Sequence, residues 1–210
     1  MSTGQLIDMR EYPKEIALRD DSRVLLRPCT QGDSDILFDF FKALTDRDRR
    51  YFKHDVNKRR TIAGWCEDLN YDKVLPLLAV ADDGGTGLVV ANGTLHTEEH
   101  GWSTHVARIR LQVRPSHRGR GLGQAMVREL CDRAHLRGID KIQAHVRADN
   151  ERALRLMRKI GFVDEGVFKK HAVDKRGRRH DIIVLYQDLE DLWRLMEEMN
   201  LELDTPSFFP

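Results

Sequence analysis

A strand-like run gives way to a helical one through the segment HRGRGLG at residues 117–123, which holds three glycines and two arginines. The run before it, ARIRLQVRP, alternates as a β-strand does, and the apolar residues after it repeat at helical spacing. The first N–H groups of a helix have no partner within the helix, so they bind phosphate where glycine lets a ligand approach the backbone. The junction therefore predicts a pyrophosphate site, to which Arg118 and Arg120 add positive charge.

Two common nucleotide-binding loops do not fit these residues. A Walker A loop has Lys and then Ser or Thr after its last glycine, whereas Gln124 and Ala125 follow Gly123 here. A Rossmann fingerprint is GxGxxG after the first strand of a βαβ unit. Gly119, Gly121 and Gly123 instead form GxGxG after a predicted antiparallel meander, so the site belongs to a different fold.

The distribution of charge favours one local anion site. The chain carries 35 Lys and Arg against 34 Asp and Glu, a net charge of +1. Between Glu99 and Glu129, however, there are six arginines and no acidic residue. A local positive field suits a bound anionic ligand. Nucleic acid is a weaker second interpretation, because the rest of the chain balances the charge.

Composition indicates an ordinary globular protein of 210 residues, 40% of them hydrophobic and 33% charged. No apolar run approaches the roughly 20 residues of a membrane span, and the N-terminus has no apolar signal core, so we expect a cytoplasmic protein without membrane contact. The spacing of Cys29, Cys66 and Cys131 predicts neither a metal site nor a disulfide framework.

Hydrophobic periodicity predicts an α/β fold, with a mixed, largely antiparallel sheet flanked by helices. Residues up to about Glu15 are polar and expected to be loose. The expected division is an N-terminal extension at 1–22, one domain at 23–189 and a C-terminal helix and tail at 190–210. Strands are predicted at 23–28, 75–82, 87–98, 104–113, 141–146, 163–173 and 180–189. Helices are predicted at 31–44, 46–53, 61–69, 122–138, 149–162 and 188–199.

Two motifs carry a family resemblance. Arg118, Gly121 and Gly123 form Arg-x-x-Gly-x-Gly after a strand, which resembles motif A of the GNAT superfamily of N-acetyltransferases, the motif that binds the pyrophosphate of acetyl-CoA. The segment ADNERALRLMRKIGF at 148–162 resembles motif B of that family. The resemblance runs from about Val24 to Leu189. The start of this region is similar to the acetyltransferase domain of bacterial protein-lysine acetyltransferases.

The resemblance implies a GNAT-type fold whose sheet is splayed between strands 4 and 5, at 104–113 and 141–146, to admit the pantetheine arm. The arm would pair with the strand backbone, and the Val113 N–H would donate to the thioester oxygen. Asn150 would bind a pantetheine amide as well as cap its helix. The implied acetyl-CoA contacts are Leu111, Val113, Arg118, Gly119, Arg120, Gly121, Leu122, Gly123, Gln124, Asn150, Ala153 and Met157.

The proton-transfer residues usual in the family are missing. An attacking amine has to be neutral, and since a lysine-type amine has a pKa of about 10.4, a base or water relay takes its proton. Many members carry a glutamate where this chain has Ala107 and Arg108. The replacement we name is His105, on the same predicted strand face as Ala107, with three alternatives: His96, Glu98 and Glu99.

The leaving thiolate also lacks the usual acid. Family members commonly place a tyrosine at the position of Met157, a residue that packs naturally as core and offers no proton. Because a thiol has a pKa of about 8.5, the thiolate can leave unprotonated at modest cost.

These features predict an acetyl-CoA-dependent N-acetyltransferase in which a primary amine attacks the thioester directly. The acceptor is a small-molecule amine or a protein amine, and no metal takes part. Ala107 and Met157 keep an alternative open, a non-catalytic acyl-CoA-binding sensor. The sequence leaves the acceptor and the acyl length open, and a homodimer is one option for the assembly.

Overall fold

The computed structural model describes residues 9–49, 52, 54–174 and 176–189. Its eight-stranded sheet has the order β1-β2-β3-β4-β5-β6-β8-β7. The strands are β1 Lys14–Ala17, β2 Arg23–Pro28, β3 Val74–Ala81, β4 Leu88–His96, β5 Val106–Val113, β6 Lys141–Arg147, β7 Val163–Val173 and β8 Arg179–Asp188. Neighbouring strands are antiparallel except for the parallel pair β5 and β6.

Five α-helices flank the sheet in the part of the chain that is described. They are α1 Ser34–Ala43, α2 Asp46–Arg49, α3 Arg59–Glu67, α4 Leu122–His135 and α5 Glu151–Ile160. None of these helices is both long enough and apolar enough to cross a bilayer. The predicted mixed, mostly antiparallel α/β architecture is confirmed.

The N-terminal segment departs from the prediction. Residues up to Glu15 were expected to be loose, but β1 pairs with β2, with Lys14 opposite Leu26 and Ala17 opposite Arg23. A strand of four residues shows too little alternation to be recognised alone. Because β1 adds a strand, the strands predicted as fourth and fifth are β5 and β6. The helix predicted at 188–199 lies, from residue 190 onward, outside the described residues.

Two layers of helices cover opposite faces of the sheet. The predicted stripe of α4 is buried against β4 and β5, with Leu122, Met126, Leu130 and Ala134 at most 1% exposed. On the other face, α1 and α3 bury Phe40, Phe41 and Ile62 against β3 and the start of β4. On the first face, α4 packs against β4 and β5, while α5 contacts β6.

Close packing of α4 on β4 depends on Gly93. A Cβ at this position would lie 3.0 Å from both Leu130 Cδ1 and Met126 Cε. We expect Gly93→Val to lower the free energy of unfolding by about 1–3 kcal/mol through overpacking. Urea unfolding measures the change. Gly166→Val in β7 is the matched control, because a Cβ there meets no atom within 4 Å. Equal stability of the two variants would contradict this packing argument.

Candidate functional site

The glycine loop turns the chain from β5 into α4 by adopting backbone conformations that favour glycine. Gly119 has a φ of 84° and Gly121 a φ of 92°, both in the left-handed region. Gly121 directly precedes α4, and its carbonyl accepts hydrogen bonds from the N–H groups of Gln124 at 2.9 Å and Ala125 at 3.1 Å. These two bonds close the first turn of the helix while leaving the preceding N–H groups free.

Five consecutive backbone N–H groups, at residues 119–123, donate to no acceptor within the described residues. Unpaired N–H groups at a helix N-terminus carry partial positive charge and match phosphate oxygens. Leu122 can offer only its N–H, because its side chain is buried in the core. The loop therefore has the donors that a pyrophosphate needs, and we call residues 119–123 the amide cradle.

The two arginines of the loop are already engaged. Arg118 donates from Nε to the Val113 carbonyl at 2.9 Å and from its terminal nitrogen to Asp48 at 2.6 Å. Arg120 forms an ion pair with Asp20 at 2.9 Å. Nearby carboxylates thus offset both charges, and Arg118 ties the loop to β5 and α2.

A different arginine lies against the cradle, one that the sequence patterns did not reveal. Arg19 sits in the turn between β1 and β2, and its N–H donates to the Arg120 carbonyl at 3.0 Å. A Cβ on Gly121 would lie 3.4 Å from Arg19 Cγ and 3.6 Å from its Nε. Its guanidinium forms no ion pair or hydrogen bond within the described ranges. Arg19 therefore places an unneutralised cation beside the cradle.

The sheet is splayed next to the cradle, as predicted. β5 and β6 pair only from Val106 opposite Lys141 to Ile109 opposite Ala144, so residues 110–113 have no neighbouring strand on that side. The Arg114 N–H donates to the Val90 carbonyl at 2.8 Å. In an antiparallel ladder, that bond turns the N–H and C=O groups of residues 111 and 113 away from β4 and toward the gap.

The open edge of β5 can therefore accept an extended amide chain as an added strand. Leu111 can offer both its N–H and its carbonyl. Val113 keeps its N–H, while its carbonyl accepts the bond from Arg118. The amide cradle follows this edge after the turn at residues 114–118, whose own N–H groups at Arg114, His117 and Arg118 are hydrogen-bonded. The edge and the cradle are therefore two separate sets of backbone donors, joined by a short turn.

Motif B residues line the other side of this region. Asn150 precedes α5, and its Oδ1 accepts a hydrogen bond from the Ala153 N–H at 3.4 Å. Its amide nitrogen remains available as a donor. Met157 is buried in the core together with Leu154, as its helical position indicated. Gly123 allows α4, α5 and β5 to approach, because a Cβ there would lie 3.1 Å from Leu156 Cδ2.

The structure separates the histidine candidates for the base. His105 is exposed and lies in the turn before β5, not within the strand as predicted. It precedes Val113 by eight residues, which corresponds to about 26 Å along a strand. His96, the last residue of β4, lies opposite Arg108, and its Nε2 is 2.9 Å from Thr94 Oγ1. The geometry thus places His96 nearer the splayed gap than His105.

The two glutamates named as alternative bases lie farther from the splayed gap than His96. Glu98 and Glu99 follow β4 in an exposed turn, and Glu99 forms an ion pair with Lys73 at 3.4 Å. That turn lies beyond the end of β4, away from the open edge of β5.

Comparison with known proteins agrees with this geometry. The model of the acetyltransferase (GNAT) family matches residues 38–162. A spermidine N(1)-acetyltransferase of Vibrio cholerae is 24% identical over 159 residues, which cover 69% of this chain and 90% of that protein. An L-amino acid N-acetyltransferase of Escherichia coli is 34% identical over 112 residues, which cover 52% of this chain and 66% of that protein.

Solved structures share the fold at low sequence identity. The GNAT domain of S. lividans PAT has a TM-score of 0.68 at 18% identity, covering 83% of this chain and 96% of that domain. An acetyltransferase from Salmonella typhimurium, solved with its cofactor acetyl-CoA, has a TM-score of 0.64 at 18% identity, covering 79% and 94%.

The fold and the matched family model place this chain among the acetyltransferases. The chain belongs to the GNAT family of acetyltransferases. It is an N-acetyltransferase with acetyl-CoA as its acetyl donor, and the resemblance drawn from the two motifs is confirmed.

Gly121→Asp tests the cradle. The new carboxylate would repel the pyrophosphate, so we expect CoA affinity to fall by about 100-fold. Isothermal titration with CoA measures this change. Gly84→Asp is the control, because Gly84 also has a positive φ, of 77°, and no atom lies within 4 Å of an added Cβ. This variant therefore measures the effect of backbone strain alone. Unchanged CoA affinity in Gly121→Asp would contradict the cradle.

Arg19→Ala tests the cation beside the cradle. Loss of one phosphate contact should weaken CoA binding by about 10-fold and reduce its dependence on salt. Arg23→Ala in the same hairpin removes an exposed ion pair with Glu15 and should leave CoA binding unchanged. If the two variants bind CoA equally well across the salt range, Arg19 has no part in the site.

Proposed function

We propose that a small primary amine attacks the thioester of acetyl-CoA directly, within the splayed gap between β5 and β6. The observation that carries this proposal is the presence of two neighbouring sets of unpaired N–H groups, at Leu111 and Val113 on the β5 edge and at residues 119–123 in the amide cradle. Acetyl-CoA supplies the activated acetyl group. The protein supplies binding, orientation and hydrogen bonds at fixed positions.

Each backbone group has a distinct role in this proposal. The cradle and Arg19 would bind the pyrophosphate, and Leu111 would pair with the pantetheine arm. The Val113 N–H would donate to the thioester oxygen as negative charge develops there, and such donors contribute most when they are fixed in advance. Arg118 would hold the Val113 peptide in place through its bond to that carbonyl.

The attacking amine would approach from the face of the sheet opposite α4. On that face, Thr94 and His96 lie opposite Arg110 and Arg108. We propose that His96, oriented by Thr94, takes the amine proton through a water relay. Met157 provides no acid, so the thiolate would leave unprotonated.

The relatives indicate the acceptor class. One is named for spermidine and the other for L-amino acids, both of them small primary amines. A small amine is therefore favoured over a protein amine as the acceptor. The cytoplasm as the compartment and a homodimer as the assembly remain predictions, which cell fractionation and light scattering test.

Release of free thiol from acetyl-CoA tests the enzyme against the sensor. We expect release above the buffer rate with at least one amine in a panel of amino acids, polyamines and peptides. Tight CoA binding without turnover across the whole panel would support the sensor instead. The panel also identifies the amine that later measurements use.

The pH profile of kcat tests the base. His96→Ala should lower kcat by about 10- to 100-fold, and the loss should be largest below the pKa of the acceptor amine, where the amine is mostly protonated. His105→Ala is the direct comparison, and its profile should follow the unmodified enzyme. If His105→Ala alone alters the profile, the sequence-based candidate is the base and our assignment of His96 is wrong.

A further inference from the structure

Two arginines share the sheet face that is proposed for the acceptor. Arg108 and Arg110 alternate along β5, so both point away from the face that buries Ala107 and Ile109. In the β4 register, Arg108 lies opposite His96 and Arg110 opposite Thr94. The acceptor face of β5 is therefore cationic at the point where the sheet begins to splay.

Neither arginine is neutralised by the protein. Within the described ranges, Arg108 and Arg110 form no ion pair and no hydrogen bond, and the Nε atom of Arg108 is buried without a partner. Arg110 is exposed at the surface, and partial burial, followed by the charge of Arg108, lowers the pKa of its guanidinium. The unpaired Nε of Arg108 and the adjacent positive charge of Arg110 both favour binding of an anion.

The acidic group that acts on the neighbouring His145 already has partners of its own. Glu165 of β7 forms an ion pair with Lys141 and accepts a hydrogen bond from Gln143 at 2.8 Å. Other arginines near the sheet, such as Arg147 and Arg158, pair with carboxylates of their own. Arg108 and Arg110 thus differ from these paired arginines in a way that a bound anion would resolve.

His145 borders the two arginines without adding charge. It follows Ala144, the last residue of β6 that pairs with β5. Burial, followed by the charges of Arg108, His171 and Arg110, lowers the pKa of His145 to about 4, although Glu165 opposes the shift. The imidazole is thus neutral near pH 7. Phe168 stacks edge-on against it, with the ring centroids 5.8 Å apart.

A buried side-chain oxygen that can accept a hydrogen bond lies on the same sheet face, in the direction of the proposed thioester site. Asn92 of β4 is opposite Gln112, one step nearer Val113 than the pair of Thr94 and Arg110. Its Oδ1 is buried without a hydrogen-bond partner within the described residues. Along this face, the unpaired oxygen of Asn92 therefore lies nearer Val113, and the unpaired guanidinium groups of Arg108 and Arg110 lie farther from it.

We propose that the acceptor is an amine that also carries a carboxylate, as an amino acid does, and that Arg108 and Arg110 bind this carboxylate. Guanidinium groups match carboxylates in charge and in planar geometry. Asn92 would accept a hydrogen bond from the amine, which then lies toward Val113 and the thioester. Polyamines would be repelled by the same two cations. This proposal rests on the proposed N-acetyltransferase activity and names its substrate class.

Matched acceptors provide the first test. Each L-amino acid in a panel is compared with its carboxamide and with its decarboxylated amine by thiol release. We expect kcat/KM to be on the order of 100-fold higher for the best amino acid than for its two analogues that lack the carboxylate. Spermidine should be a poor acceptor. Comparable rates for the amino acid and its analogues would overturn the carboxylate assignment, as would a faster rate with phosphoethanolamine.

Substitutions provide the second test. Arg108→Gln and Arg110→Gln should each lower kcat/KM for the amino acid by at least about 10-fold while changing that for the decarboxylated amine little. Arg110→Glu should reverse the preference toward the decarboxylated amine. Arg155→Gln on the exposed face of α5 is the control and should alter neither. An equal loss with both acceptors in every arginine variant would show a structural role and contradict the proposal.

Binding separates this proposal from the proposed function. Calorimetric titration of the same amino acids into the CoA-saturated enzyme measures the carboxylate site without turnover. Binding that is lost in Arg108→Gln and Arg110→Gln supports the site, even if no amine releases thiol and the proposed activity fails. Thiol release from amines that lack a carboxylate, with no detectable amino-acid binding, supports the activity and overturns the carboxylate site.

Discussion

Backbone N–H groups that the fold leaves unpaired are the constraint on which the site depends. A sheet and a helix normally satisfy their own donors, and buried donors without partners are rare. Here the parting of β5 from β6 exposes an edge at residues 110–113, and the glycine loop exposes five more donors at 119–123. The two sets adjoin because a short turn connects the strand to α4. A ligand with an extended amide arm and a pyrophosphate would satisfy both sets together, as we propose for acetyl-CoA.

The arrangement of arginines follows the same distinction between satisfied and unsatisfied groups. Arg118 and Arg120 dominate the sequence motif, yet each is paired with an aspartate and serves to hold the loop. Arg19, Arg108 and Arg110 form no such pair within the described chain. Arg19, Arg108 and Arg110 are thus unpaired arginines that no motif singles out. A cluster of charge in the sequence indicates the region of a site, while the partners in the fold decide which charges act there.

Much of this architecture was predictable because its signals are local. The stripe on α4, the glycines of the loop and the cap at Asn150 depend on spacing within one element, and the structure places all of them as expected. The position of Arg19 was not predictable, because it depends on the β1–β2 hairpin meeting a loop about a hundred residues later. The location of His105 was mispredicted for a related reason. His105 was assigned by extending an alternating pattern two residues beyond the true start of β5.

The two faces of β5 show what replaces the glutamate that many family members carry on this strand. Of the two positions where many family members carry a glutamate, Ala107 is buried in the core under α4, whereas Arg108 lies on the opposite face with Thr94 and His96. A carboxylate at position 108 would attract cationic acceptors and could take a proton from them. Arginine there reverses the sign of the field and cannot serve as a base. In our proposal the proton goes to His96 beside it, and the carboxylate of the acceptor supplies the negative charge that this face of β5 lacks. The absence of the usual base and the binding of a carboxylate-bearing acceptor would then both follow from Arg108.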